Sequence, residues 1–176
     1  GLAFGVDITA HRAALQSGQE TIGVLGNGLS QIYPFHHREI ALRMVDQGGL
    51  LTELPSFKGP DREHFPMRNR IVAALSDAVI VVETGKKGGS MITARLANDY
   101  NKDVFAFPGR VGDLKSEGCN LLIKSHRAHL IERIEDLIYT LRWEPQTPQQ
   151  TELFVELDDA EKKIVQLVRA KPEISV

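Results

Sequence analysis

The 176 residues, 42% apolar and 25% charged, can bury one substantial core with at most a small appendage. A net charge of −2 excludes a generally basic nucleic-acid coat. The lone Cys119 excludes an intramolecular disulfide framework or a cysteine-based zinc site.

Gly1 stands where Met would open a chain, and the sequence stops mid-pattern at Val176, so it reads as an internal segment. A helix is expected near 8–17, with Asp7 as its N-cap, His11 one turn on, and Gly18 at its C-terminal end. The β-branched run 21–25 predicts a strand, 36–47 a helix and 49–53 a second strand. Another helix follows near 67–76, with Pro66 at or just before its first turn, then a strand over 78–83. A helix at 90–100 with Ser90 as N-cap, a strand at 103–107, a helix at 117–125 and a weaker edge strand at 128–131 complete the rhythm. Such alternation predicts an open, Rossmann-like doubly wound, mostly parallel sheet with helices on both faces. Its ligand crevice should lie at the carboxyl ends of the strands. The first domain is expected over 1–143. The Pro- and Gln-rich stretch 144–157 reads as a linker, and 158–176 as the truncated start of a small helical domain capped by Asp158 to Glu161.

No apolar run approaches the roughly 18–20 residues that span a bilayer, and no secretory signal is present. A soluble, cytoplasmic protein without a membrane partner is therefore expected. Charge is unevenly spread: Lys58, Arg62, Arg68, Arg70, Lys86, Lys87 and Arg95 outnumber the acids between 58 and 95, whereas acids dominate beyond Leu130. Gly26-Asn27-Gly28 follows a strand, but Gln31 stands where a dinucleotide fingerprint needs a third glycine. Leu114 likewise occupies the glycine position that a phosphate loop would need before Lys115-Ser116.

Glu83 to Thr93 is a stronger signal. Gly85, Lys86, Lys87, Gly88, Gly89 and Ser90 join a buried strand to a helix start, where free N–H groups and the helix dipole favour an anion; Thr93 lies one turn on. Its bland alternative is a tight turn with solvated lysines. Arg62 to Ile71 offers Arg68 and Arg70 to phosphates, Asn69 to a base edge or sugar, and Phe65 as a stacking face. Equally open is Phe65 in the core, with one arginine paired to Glu53 or Glu83. His11 could orient a phosphate or make a structural hydrogen bond. Adjacent His36 and His37 point apart on a helix, and no metal or cofactor is expected.

Gly5-Val6-Asp7 with Ala10-His11, Val24 to Leu29 with Ile32-Tyr33-Pro34, Phe65 to Ile71, Gly89 to Ala94, Phe107-Pro108-Gly109 and Gly118 to Ile123 occur in order across 1–124. This set resembles the DNA-processing protein A (DprA/Smf) family, and the segment from Asp158 resembles the start of the winged-helix-like domain that often follows. The resemblance implies a non-catalytic cytoplasmic protein that binds single-stranded DNA, protects it during natural transformation and helps load the RecA recombinase, usually as a homodimer. It also implies Arg62 as the basic residue before the motif phenylalanine, with Phe65 near a base. A further arginine, of a Gly-Ser-Arg-type motif, would lie upstream of Gly1. The implied pocket joins Asp7 and His11, the loop before Arg68 with Arg62, Phe65, Asn69 and Arg70, and the Lys86, Lys87, Gly88, Gly89, Ser90, Thr93 turn. The rival is a phosphoribohydrolase like the lysine-decarboxylase-like enzymes, but their motif glutamate falls here on Arg95.

Overall fold

The computed structural model describes residues 1–143 and 158–170. The chain divides into two compact units, Gly1–Leu141 and Arg142–Val176. In the first, α1 (Val6–Gln16) leads to β1 (Thr21–Val24), a 3-10 turn at Phe35–His37, α2 (Arg38–Asp46) and β2 (Gly48–Leu51). α3 (His64–Leu75), β3 (Ala78–Val81), α4 (Gly89–Asp99), β4 (Asp103–Ala106), α5 (Glu117–Lys124), β5 (His129–Leu130) and α6 (Ile134–Leu141) follow.

All the strand pairs are parallel. β1 pairs with β2 in one sheet, and β3, β4 and β5 run in that order in a second. The single ladder expected from the sequence is thus interrupted between β1 and β3. Leu25 N–H donates to the Leu51 carbonyl on the β2 side, so the Val24 carbonyl, one residue earlier, faces away from β2. There it accepts a hydrogen bond from Arg68 Nη1 of α3 instead of from a strand.

Helices cover both faces because the strands are apolar on both. Along β4, Val104 and Ala106 pack with Ala73, Ala94, Ala97, Cys119 and Leu122 of α3, α4 and α5. Phe105, on the opposite side, packs with Leu137 of α6 and with Ile131, which follows β5. A separate cluster sets Ile8 and Leu15 of α1 and Ile40, Ala41 and Met44 of α2 against Leu25. Cys119 is 1% exposed and burial raises its thiol pKa, as a packing residue requires.

Helix ends differ in detail from expectation. Gly18 takes φ +70 after α1, where Gln19 N–H bonds to the Ala14 carbonyl and Gly18 N–H to that of Leu15, a Schellman closure. At the other end Gly5 is the N-cap and Asp7 lies within the first turn. Gly88, not Ser90, caps α4. α6 had no counterpart in the sequence reading, although Ile134, Leu137, Ile138 and Leu141 follow helical spacing. Its start is fixed by Asp136, whose carboxylate accepts from the N–H groups of Glu132 and Arg133 at 2.9 and 3.1 Å. Those bonds hold its pKa below the ordinary carboxylate value.

In the second unit, α7 (Asp159–Ala170) begins with a capping box. Asp158 accepts from the N–H groups of Ala160 and Glu161, and Glu161 accepts from that of Asp158. The linker expected over 144–157 and the side chains of Ile164, Val165, Leu167 and Val168 lie outside the described residues. Among the described residues, no helix is long and apolar enough to cross a membrane.

His11 belongs to the core. It is 8% exposed, Nε2 donates to the Gly1 carbonyl at 2.9 Å, and Nδ1 lies 2.6 Å from Thr21 Oγ1. A carbonyl only accepts, so the proton sits on Nε2 and Nδ1 accepts from the hydroxyl. Burial is the main cause of a pKa below the ordinary 6.5, against the pull of the Gly1 carbonyl. The unfolded chain therefore binds a proton at pH values where the folded chain does not. This contribution to stability is complete above about pH 6.5 and is lost as pH falls below it. Urea midpoints measured from pH 7.5 down to 5.0 should decline, and His11→Asn should flatten the decline; a midpoint rising toward pH 5 would contradict the assignment.

Candidate nucleic-acid interface

Phe65, Arg68, Asn69 and Val72 recur at helical spacing on α3 and turn one face toward a cleft of about 500 Å³. The cleft is also lined by Asp7, by β3, and by Gly89, Ser90 and Thr93 from the first turns of α4. Seven of the predicted residues, Asp7, Phe65, Arg68, Asn69, Gly89, Ser90 and Thr93, thus share one hollow. Arg62, Arg70, His11, Lys86, Lys87 and Gly88 are not among its walls.

Helical geometry separates the two arginines. Residues two apart on a helix point nearly opposite ways, so Arg68 faces the cleft whereas Arg70 reaches Glu53 beyond β2 and forms an ion pair. The expected joint clamp of Arg68 and Arg70 is therefore corrected. Lys86 is also engaged, 3.3 Å from Glu117 at the start of α5. Arg62 and Lys87 make no ion pair among the described residues.

The half-buried Arg68 donates from Nη1 to the Val24 carbonyl and from Nε to Asn69 Oδ1 at 3.1 Å. Its pKa is lowered, chiefly by burial, while the nearby Asp7 carboxylate acts in the opposite sense. Arg68 thereby ties α3 to the free edge of β1. Asp7 accepts from Ala3 N–H at 3.3 Å and supplies negative charge beside that guanidinium, which disfavours a phosphate there. His11, buried with both ring nitrogens engaged, is withdrawn from the ligand surface.

At α4 the helix start carries no side-chain cap. The Gly89 and Ser90 N–H groups accordingly keep their capacity for an anion, with the positive end of the helix dipole behind them, while that of Met91 bonds to the Gly88 carbonyl. Gly88 has an ordinary φ of −71. Close packing is what favours glycine there, because a Cβ would come 2.1 Å from Thr84 Oγ1.

Several residues escaped the sequence reading. Glu117 neutralises Lys86. Asn120 clamps the turn after β4, with Oδ1 accepting from Gly109 N–H and Nδ2 donating to the Gly109 carbonyl. Asn27, 1% exposed, donates twice from Nδ2, to the carbonyls of Gly28 and Gln31. Tyr33 stands 5.9 Å, centroid to centroid, from Phe65. Of these, Asn27, Tyr33 and Asn120 lie within the motifs quoted from the sequence, and Glu117 does not.

The profile of the family described as DNA recombination-mediator protein A matches residues 1–142. Protein Smf of Escherichia coli is 43% identical over 155 residues, covering 86% of this chain and 41% of that protein. The DNA processing protein DprA of Streptococcus pneumoniae is 41% identical over 138 residues, covering 78% and 49%. The chain thus spans less than half the length of these relatives. Its structure is similar to the crystal structure of the S. pneumoniae protein, with a TM-score of 0.72 at 40% identity over 79% of this chain and 49% of the other. DNA processing protein A of Helicobacter pylori, described for its single-stranded DNA binding mode, gives a TM-score of 0.71 at 38% identity, covering 81% of this chain and 64% of that one.

Proposed function

Because this chain belongs to the DNA recombination-mediator protein A family, we propose that it holds single-stranded DNA along the carboxyl-end rim of its strands without cutting it. The observation that carries this reading is the meeting of an aromatic face, Phe65, with the uncapped start of α4 at Gly89 and Ser90 on one cleft. Arg62 lies three residues before Phe65, in the turn that precedes α3, and Lys87 two residues before Gly89. Backbone N–H groups and these two cations would take phosphates, and Phe65 a base face. Arg68, Arg70 and Lys86, engaged within the protein, would act on the strand mainly by fixing the elements around it. The Glu53 carboxylate beyond β2 is held by Arg70. The family likeness extends the proposal to a cytoplasmic homodimer that protects incoming DNA in natural transformation and passes it to the RecA recombinase.

Fluorescence anisotropy with oligo-dT across a salt series tests the reading. Affinity should fall with salt, and the double variant Arg62→Glu/Lys87→Glu should flatten the log–log slope by about 1.4, two contacts at roughly 0.7 each for a single strand. Wild-type binding indifferent to salt would refute the phosphate contacts. Release of free base from nucleoside monophosphates would instead favour a phosphoribohydrolase.

A further inference from the structure

The turn that leads into the uncapped start of α4 carries two lysines, and one of them is held by a carboxylate of α5. We propose that this carboxylate, Glu117, sets how tightly the chain grips DNA by competing with phosphate for Lys86. The inference rests on the reading of the chain as a single-strand binder, and gives that site a residue that limits its affinity.

Three observations carry it. First, the turn bearing Lys86 is fastened to α5. Gly118 N–H donates to the Thr84 carbonyl at 2.8 Å, and a Cβ at Gly118 would lie 2.6 Å from the carbonyl oxygens of both Thr84 and Gly85. These are main-chain atoms, so only glycine lets α5 approach this closely. Across the turn, Gly88 N–H closes onto the Gly85 carbonyl at 3.0 Å, and the Thr84 hydroxyl donates to the same oxygen at 3.1 Å. The backbones of Lys86 and Glu117 therefore keep a fixed separation.

Second, Glu117 is firmly anchored. Cys119 and Leu122 sink α5 into the core at 1% and 3% exposed, and the Asn120 amide ties it to both polar groups of Gly109. The Glu117 carboxylate stands 3.3 Å from Lys86 Nζ, with side chains 30% and 60% exposed. A pair this open to water adds little to folding stability. As an intramolecular acceptor, however, it is always at hand, whereas a phosphate must arrive from solution.

Third, Lys86 stands where a phosphate would come. It lies three residues before Gly89, at the helix start that carries no side-chain cap. Its neighbour Lys87 makes no ion pair among the described residues. One cation of the turn is thus open to DNA, and Glu117 neutralises the other.

The test is a double-mutant cycle on the full chain, read by oligo-dT anisotropy across a salt series. Glu117→Gln keeps the shape and removes the charge, which releases Lys86 to phosphate. The log–log slope should steepen by about 0.7, and affinity near 0.1 M salt should rise about fivefold, which is that slope taken over the decade of salt below 1 M. Lys86→Gln should keep the wild-type slope, because its ammonium group is already occupied. The double variant should return to the wild-type slope and affinity. Should Glu117→Gln fail to fold by circular dichroism, Glu117→Ser takes its place in the cycle.

An unchanged slope in a folded Glu117 variant would overturn the proposal. So would a steeper slope that persists in the double variant, because the carboxylate would then act through the general field and not through Lys86. A shallower slope in Lys86→Gln would also overturn it, by showing that Lys86 already grips the DNA. Each of these leaves the single-strand reading standing. A wild type that does not bind oligo-dT at low salt would overturn both.

Discussion

Gly28→Ala is expected to cost about 3 kcal/mol or more of folding stability, read as a lowered urea midpoint with an unchanged slope. A Cβ at this position would lie 2.1 Å from the Pro55 carbonyl oxygen and 2.2 Å from that of Ser56. Both obstacles are backbone, so no rotamer change relieves them. Moving the 55–58 loop away would break the bonds from Gly28 N–H to the Lys58 carbonyl at 2.7 Å and from Ser30 N–H to the Ser56 carbonyl at 3.0 Å, each worth about 1 kcal/mol. Since a domain of this size is stable by only about 5–15 kcal/mol, the fraction lost is large. Gly89→Ala is the contrast, because a Cβ there meets nothing within 4 Å and alanine suits a helix better than glycine. Its midpoint should hold or rise. Equal midpoints for Gly28→Ala and wild type would show that the turn after β1 is looser than its packing implies.

The same turn illustrates what could be read from the sequence. Three glycines were demanded of Gly26-Asn27-Gly28 to bind a dinucleotide, and their shortage excluded one. Residue pattern alone did not reveal that the two glycines present serve protein contacts, one under Phe65 and one under the 55–58 loop. Such contacts join residues some thirty or forty positions apart, and only folding brings them together. The strands were legible because β4 is apolar on both sides, as a strand between two helical layers must be. α6 has the same helical periodicity at Ile134, Leu137, Ile138 and Leu141, but at eight residues it is too short for periodicity alone to distinguish it from a loop. The opposed directions of Arg68 and Arg70 were legible too, because two positions on a helix differ by about 200°. One partner was among the alternatives, since the pairing of an arginine with Glu53 holds at Arg70, whereas the Val24 carbonyl that Arg68 meets carries no signal in the sequence. Lys86 likewise meets Glu117 across a span of sequence that carries no local signal.

Arg68→Lys should separate the structural and ligand roles of this side chain, with an expected stability loss of about 2–3 kcal/mol. Lysine keeps the charge but not the planar fork. One ammonium group on a different stem cannot reproduce donations to both the Val24 carbonyl and Asn69 Oδ1. The half-buried carbonyl then loses its partner, a cost of about 1–3 kcal/mol, and packing along the stem adds to it. Arg70→Ala, by contrast, opens a pair whose side chains are 47% and 34% exposed, and should cost no more than about 1 kcal/mol. For DNA the order follows from what each group touches. A charge-retaining change at a phosphate contact leaves the salt slope nearly intact, and so does a change at a residue that never meets phosphate. The discriminating variant is therefore Arg68→Gln, which removes the charge while retaining an amide donor. If Arg68 anchors α3 to β1, the Gln variant lowers the urea midpoint and weakens oligo-dT binding with the salt slope unchanged. If it grips the backbone of the strand, the slope falls by about 0.7. The geometry favours the first outcome, since two of the guanidinium nitrogens are already spent inside the protein and the Asp7 carboxylate adds negative charge in the neighbourhood.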